Sequence, residues 1–271
     1  MEPKNRNVLI VVIVVLVIAC CCVLALAAGA AAWFRSDYVD LGDEPFDLGG
    51  NYDERLEESF AVGEAPTLEV TNFAGRVTVR AGEPGTIRVV ATKKASSRSR
   101  LGRIEVDMNA IGSGRSGGLV IKTSKSFNNG NASVDLEITM PADGRVSVDT
   151  GAGEVAVRDM AGRIEIHSGA GEVDVRGARD AVQVGLGAGQ ITYEGTPSGD
   201  CRFQTGAGEI ILRLPRDPDV RIDVGTGLGG VDVDFDVDGR VSPRNVEGVI
   251  GDGRQGSVFA HTGVGSVSVR P

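Results

Sequence analysis

The chain has 271 residues, which is enough for one domain of about 200 residues together with an anchoring segment. Its formal net charge is −9, and this acidic balance argues against nucleic acid or anionic lipid as a partner. Three of the four cysteines are adjacent, at Cys20, Cys21 and Cys22, which leaves Cys201 alone in the rest of the chain. No disulfide is therefore expected there, and stability must come from burial.

The first predicted element is a membrane anchor. Residues 8–34 form a charge-free apolar run that is longer than the roughly 20 residues needed to span a bilayer. Lys4 and Arg6 precede it, whereas acidic residues follow Arg35. Positive charge on the inner side predicts a single-pass protein of the cell membrane, with residues 1–7 in the cytoplasm and the C-terminal domain outside.

Two rival readings of this segment involve cleavage. Residues 17–20, Val-Ile-Ala-Cys, look like a lipobox, and residues 30–32, Ala-Ala-Ala, are acceptable to a signal peptidase. The apolar region of a signal peptide is normally about 7–15 residues long, so the longer run favours an uncleaved anchor in the bilayer.

An acidic stretch follows the anchor. Residues 36–58 contain nine acidic residues and a single base, Arg55, with few strand signals. We therefore expect residues 35–65 to form a solvated stalk that holds the following domain away from the membrane.

The remaining residues, 66–271, are dominated by a repeat. Apolar residues two apart recur as pairs at a nine-residue step, and a small-residue turn such as Thr150-Gly-Ala-Gly153 lies between alternate pairs. Apolar–polar–apolar alternation is typical of a short strand with one buried face. The pairs are Val146/Val148, Val155/Val157, Ile164/Ile166, Val173/Val175, Val182/Val184, Ile191/Tyr193, Cys201/Phe203, Ile210/Leu212, Ile222/Val224, Val231/Val233, Val258/Ala260 and Val267/Val269.

Two nine-residue units make one 18-residue repeat, and such self-similarity indicates a stacked architecture. Glycine permits the positive φ of a tight corner. The sequence therefore predicts an all-β fold, a right-handed parallel β-solenoid, with an antiparallel meander or sandwich as the alternative. Cys201 falls on an inward position and is read as a small buried hydrophobe.

Before the regular repeats, longer alternating segments occur at residues 87–92, 104–108, 119–121 and 134–138. We expect these to form an irregular β cap, because a stacked core needs its exposed end closed.

Several segments resemble the bacterial "putative adhesin" family, a domain of unknown function on envelope proteins. They include residues 68–72 (Leu-Glu-Val-Thr-Asn), 134–141 (Val-Asp-Leu-Glu-Ile-Thr-Met-Pro), 146–155, and 248–253 with 261–267. The resemblance covers residues 66–271. It implies a β-helix-like fold and an envelope location, and it supplies no catalytic residues.

Two sets of charged residues share outward positions in successive repeats, four residues apart. In a stacked fold each set becomes a ladder with steps of about 4.8 Å. Solvated pairs between the acidic and basic ladders are expected, and the alternative is that the two stripes bind a glycan or a peptide. The sets are Glu154, Glu172, Gln190 and Glu209, and Arg158, Arg176 and Arg213.

A further acidic set, Asp234, Asp236 and Asp238, has the spacing that begins an EF-hand loop, but position 12 is Asn245 rather than Glu. Strand alternation alone would place these carboxylates on one outward face. Ca²⁺ at this face is kept as an open alternative to an expectation of no cofactor.

The sequence offers little for catalysis. His167 and His261 occupy equivalent outward positions beside Ser168 and Thr262, but neighbouring strand residues point to opposite sides, so no Ser-His-Asp geometry follows. We expect a non-enzymatic, membrane-anchored surface module that binds an envelope or extracellular glycan or protein. A polysaccharide-active β-helix enzyme is the alternative.

Overall fold

The computed structural model describes residues 52–112, 117–128 and 131–271. These residues are all-β and form one sheet of fifteen strands with a single short helix, α1 (Arg98–Leu101). The strands are β1 (Tyr52–Ala61), β2 (Thr67–Asn72), β3 (Val77–Gly82), β4 (Thr86–Ala95), β5 (Ile104–Ile111), β6 (Gly118–Lys125), β7 (Ala132–Pro141), β8 (Arg145–Arg158), β9 (Ile164–Arg176), β10 (Val182–Glu194), β11 (Gly199–Arg213), β12 (Val220–Val233), β13 (Asp238–Val241), β14 (Asn245–Ile250) and β15 (Gly256–Arg270).

The predicted cytoplasmic segment 1–7, the anchor 8–34 and residues 35–51 of the predicted stalk lie outside the described residues. Within the described part of the chain, no helix has the length and hydrophobicity needed to cross a membrane.

The regular repeats stack in parallel with the predicted 18-residue register. Val146 pairs with Ile164 and Val155 pairs with Val173, so each residue meets its counterpart one repeat later. Each long strand contains both nine-residue units and continues through the Gly-x-Gly segment between them, whose second glycine has a positive φ, 137° at Gly153. We call the part before that segment the first arm, the part after it the second arm, and the segment itself the corner.

The inward apolar pairs of both arms belong to one continuous hydrophobic core. All the predicted pairs from Val146/Val148 onward are buried except Val231 and Val233, which are only partly buried because they lie in the last layer of the stack. Cys201 is 1% exposed, as predicted for an inward position.

The layers do not follow chain order at the C-terminal end. β15 pairs in parallel with both β11 and β12, so the last strand of the chain lies between two earlier ones. β14 then pairs antiparallel with the first arm of β12, and β13 pairs with β14. Stacking in chain order would instead have placed β12 directly on β11.

The N-terminal end has a matching arrangement. β2 and β3 act as the two arms of one layer, which lies between β8 and a layer made of β6 and β7. β5 pairs antiparallel with β6, β4 with β7, and β1 with β4. The predicted cap strands therefore exist and continue the same sheet, partly in antiparallel pairing.

The stalk prediction is wrong for residues 52–61, which form β1. Leu56 and Phe60 of this strand pack against the core. A charged hydrogen bond also joins β1 to β4, because Glu57 accepts from Arg88 Nε at 2.9 Å. Because many residues of β1 are acidic, the sequence alone gives little indication of a strand here. The strand forms through its pairing with β4.

Candidate functional site

The outward side chains of the second arms stand in straight columns, because parallel stacking repeats each position from layer to layer. The column next to the corner is acidic, as predicted: Glu154, Glu172, Gln190 and Glu209 pair in register. Together with the corner glycines, these residues line an open groove of about 680 Å³. Three of four consecutive strands therefore present a carboxylate on an open surface rather than inside an enclosed cavity.

The acidic column is mostly free of ion pairs. Glu154 accepts hydrogen bonds from Arg76, with 2.8 Å between Nη2 and Oε2. Among the described residues, Glu172 and Glu209 have no basic partner within ion-pair distance.

The basic ladder is longer than the sequence analysis proposed. Arg158 pairs with Arg176 as predicted, and Arg213 lies two layers further on. The structure extends the column at both ends, to Arg80 on β3 and Arg270 on β15. The signal that would have found them is the same in each repeat, an arginine directly after the second apolar residue of a second arm.

Asp174 organises part of this column. It is 8% exposed, and its two carboxylate oxygens accept from Arg158 Nη2 at 3.2 Å and from Arg176 Nε at 2.9 Å. The hydrogen bond and the negative charge of Asp174 raise the pKa of Arg176 above its ordinary value. Both guanidinium groups are thereby held over the sheet.

The expected pairing between the acidic and basic ladders is wrong. The two columns are four residues apart along a strand, or about 13 Å between Cα atoms. Arg158 and Arg176 instead bind Asp174, which belongs to the column between the two ladders.

Asp234, Asp236 and Asp238 are exposed and alternate with partly buried residues, as the strand pattern predicted. β12 ends at Val233, so Asp234 and Asp236 follow the strand, while Asp238 begins β13. In the described ranges no three His, Cys, Asp or Glu side chains are grouped closely enough to hold a metal ion. The structure thus does not bring these three carboxylates together as a cation site.

The two histidines lie on the outward face of the first arms, each near an aspartate that the sequence analysis did not connect with it. His167 Nδ1 is 3.7 Å from Asp149 Oδ1, and His261 Nε2 is 3.0 Å from Asp223 Oδ1. The ring of His261 also stacks on Phe259, with 4.2 Å between centroids. The 18-residue repeat is a signal for the first contact, because it pairs Asp149 with His167, whereas the contact between His261 and Asp223 depends on β15 lying beside β12.

The hydroxyl groups beside the histidines face the other way. Ser168 and Thr262 are buried, and each donates a hydrogen bond to a carbonyl oxygen at its own corner, on Ala170 and Val264 respectively. Strand alternation therefore separates the histidines from these hydroxyls, as the sequence indicated.

Cys201 and Tyr193 carry polar groups that are buried inside the core. Burial raises the pKa of the Cys201 thiol and, more strongly, the pKa of the Tyr193 phenol. The Tyr193 ring packs against Phe203 with 5.1 Å between centroids. Both groups are consequently neutral components of the packing.

No family model matches this chain, and no curated protein matches it. Among solved structures it is similar to a putative cell adhesion protein from Clostridium sporogenes ATCC 15579, with 16% identity and a TM-score of 0.49 over 80% of this chain and 99% of the other. It is also similar to a putative adhesin from Bacteroides fragilis NCTC 9343, with 13% identity and a TM-score of 0.42 over 80% and 97%. These similarities assign no function to the chain.

Proposed function

We propose that this protein is a non-enzymatic, membrane-anchored surface module that displays a rigid β-solenoid face to an envelope or extracellular partner. The observation that supports this best is the register of the second arms, which aligns exposed acidic and basic side chains into straight columns on one flat surface. Such a surface presents repeated charge to a partner without an enclosed pocket.

The solenoid part of the proposal is supported by the pairing of both arms. Each arm of β8, β9, β10 and β11 stacks on the same arm of its neighbour, and the inward residues of both arms share one core. A chain that closes both arms around one core at each repeat forms a coil, and we propose that the coil is right-handed.

The membrane location is supported by the sequence. The apolar run 8–34 and the flanking charges predict an anchor with the N-terminus in the cytoplasm. In this arrangement the β domain stands outside the membrane, where its charged columns meet envelope glycans or proteins.

A polysaccharide-active enzyme remains the second candidate because one observation favours it. Glu154, Glu172 and Glu209 line one groove, and glycoside hydrolysis requires two carboxylates on the same site. An assay for new reducing ends, run on every glycan that the domain binds, separates the two candidates.

Residues 49–271 form a compact unit, so the binding test uses that fragment. It is immobilised and exposed to purified peptidoglycan, wall polysaccharides and extracellular matrix proteins. Saturable binding to one of them, without release of reducing ends, is the expected result. Absence of binding across the panel, or steady hydrolysis of a bound glycan, contradicts the proposal.

A further inference from the structure

The arginines of the second arms form a column on the outward face of the sheet. We infer that it binds an anionic polysaccharide that lies along the stacking direction, across the layers. This inference rests on the proposed function and names the ligand class of the same face. The column consists of Arg80, Arg158, Arg176, Arg213 and Arg270.

The arginine column is long and straight. Five arginines and one glutamate, Glu194, occupy the same position in six consecutive layers. At about 4.8 Å per layer, the column is about 24 Å long. A straight line of this length matches an extended polymer with repeated charges, whereas a small anion would occupy only one or two steps.

The positive charge of the arginine column is only partly compensated. Arg158 and Arg176 share the carboxylate of Asp174, and Arg176 also lies 3.8 Å from Glu194, so two carboxylates accompany the five arginines. In the part of the chain that the structure describes, Arg80 and Arg213 have no acidic partner, and both are exposed. Like charges on directly neighbouring strands destabilise a sheet. A polyanion removes this repulsion.

Several guanidinium groups of the arginine column are already held in place. Asp174 binds one side of Arg158 and Arg176, whose side chains remain 42% and 43% exposed. Ser268 Oγ accepts from Arg270 Nε at 3.0 Å and from Nη2 at 2.7 Å. The remaining N–H groups are free for carboxylate, sulfate or phosphate oxygens, which guanidinium binds with two parallel hydrogen bonds.

The surroundings favour a glycan over an acidic peptide. Every strand that carries the column, from β3 to β15, is hydrogen-bonded to a neighbour on both sides. A peptide laid on this face would find no backbone partners for its amide groups, and their desolvation would oppose binding. The column beside the arginines includes Ala156 and Thr192, both buried, so these two side chains offer little surface to a peptide.

Glu194 distinguishes polyanion binding from a purely structural role of the column. It interrupts the column between Arg176 and Arg213 and lies 3.8 Å from Arg176 Nη1. Its charge opposes an anionic chain that crosses this layer. Removing that charge should therefore strengthen binding, while removing an arginine should weaken it.

The test measures binding of the 49–271 fragment to dextran sulfate, with neutral dextran and poly-L-glutamate as comparison polymers, in calcium-free buffer. Dextran sulfate should bind, neutral dextran should not, and poly-L-glutamate should bind at least about tenfold more weakly. The double variant Arg158→Gln/Arg213→Gln should bind dextran sulfate about tenfold more weakly. Glu194→Gln should bind it about threefold more tightly.

Arg202→Gln is the matched control, because Arg202 lies on the first arm of the strand that carries Arg213. It should leave the affinity unchanged, and all variants should remain folded. Equal binding of poly-L-glutamate, or an affinity that the double variant does not change, overturns the inference. If the double variant binds its partner in the wall panel with unchanged affinity, the proposed function stands while this inference fails.

Discussion

A Cβ atom placed on Gly229 would lie 1.8 Å from the carbonyl oxygen of Gly265, although Gly265 follows Gly229 in the chain by a full excursion through β13 and β14. The same contact joins Gly265 to Gly208, also at 1.8 Å. The corners therefore stack in the order β11, β15, β12, with backbone against backbone. Only glycine fits where one corner rests on the next.

The corner predicts a sharp difference between two adjacent glycines. Gly229 has φ near 141° and meets backbone atoms, whereas a Cβ on Gly230 would meet nothing within 4 Å. Gly229→Ala should therefore lower the free energy of unfolding by more than about 2 kcal/mol. Gly230→Ala should change it by less than about 0.5 kcal/mol. Urea unfolding of the 49–271 fragment measures both, and equal effects would show that the corners are not in contact.

Layer order can be tested by cross-linking. Arg202 on β11 is directly opposite Phe259 on β15, and Phe259 is opposite Asp223 on β12. Arg202→Cys with Phe259→Cys should form a disulfide, because neighbouring strands lie within reach of one. Arg202→Cys with Asp223→Cys should not, because these positions are two layers, or about 9.6 Å, apart. Mass spectrometry of non-reduced peptides gives the answer, and the reverse pattern would mean that the strands stack in chain order.

The inward register predicts which substitutions unfold the domain. Val173 is fully buried, so Val173→Asp places an unpaired charge in the core and should cost several kcal/mol. Glu172 is exposed, and Glu172→Gln should change stability by under about 0.5 kcal/mol. Thermal melts of the two variants compare these effects directly. Similar shifts in the melting midpoint would contradict the register.

Burial of Tyr193 predicts a loss of stability at alkaline pH. Its pKa is raised from an ordinary value of 10.0, so above about pH 10 the unfolded chain releases a proton that the folded chain keeps. The free energy of unfolding should fall as pH rises through this range. Cys201 adds a similar fall from its ordinary value of 9.0.

Tyr193→Phe provides the control, since it keeps the ring beside Phe203 and removes the titrating group. Urea unfolding at several pH values should show a shallower alkaline decline for the variant than for the wild type. Parallel declines would mean that Tyr193 does not titrate differently in the folded and unfolded chain.

The membrane topology is tested on spheroplasts that express the full chain. Protease added outside should remove the residues after Phe34 and spare a tag placed before Met1, because Lys4 and Arg6 hold the N-terminus inside. Recovery of the domain from the medium with a new N-terminus near Ala32 would show a cleaved signal peptide instead. A lipid on Cys20 would show that the lipobox is used.

The site could be predicted from the sequence in part. The acidic ladder and the core of the basic ladder follow from strand period and repeat length, because both place residues relative to their own repeat. Asp174 was missed as the partner of Arg158, since that bond crosses layers diagonally. The contact between His261 and Asp223 was missed for a similar reason.

The sequence by itself determined the repeat, the inward and outward faces and the glycine corners. These features depend on local chemistry: a two-residue period decides which side chains are buried, and a positive φ with a close backbone contact requires glycine at Gly153 and its equivalents. These features are the same in each repeat, whatever its place in the stack.

Only the tertiary structure decided the order of the layers. β12 and β15 carry the same Gly-x-Gly corner and the same alternation, so either could pair with β11. β12 and β15 differ in the strands that lie beside them. Val231 and Val233 tolerate the partly exposed end layer, while β15 is covered on both sides. Contacts between distant segments decide which repeat is covered on both sides. A periodic sequence pattern does not predict such contacts.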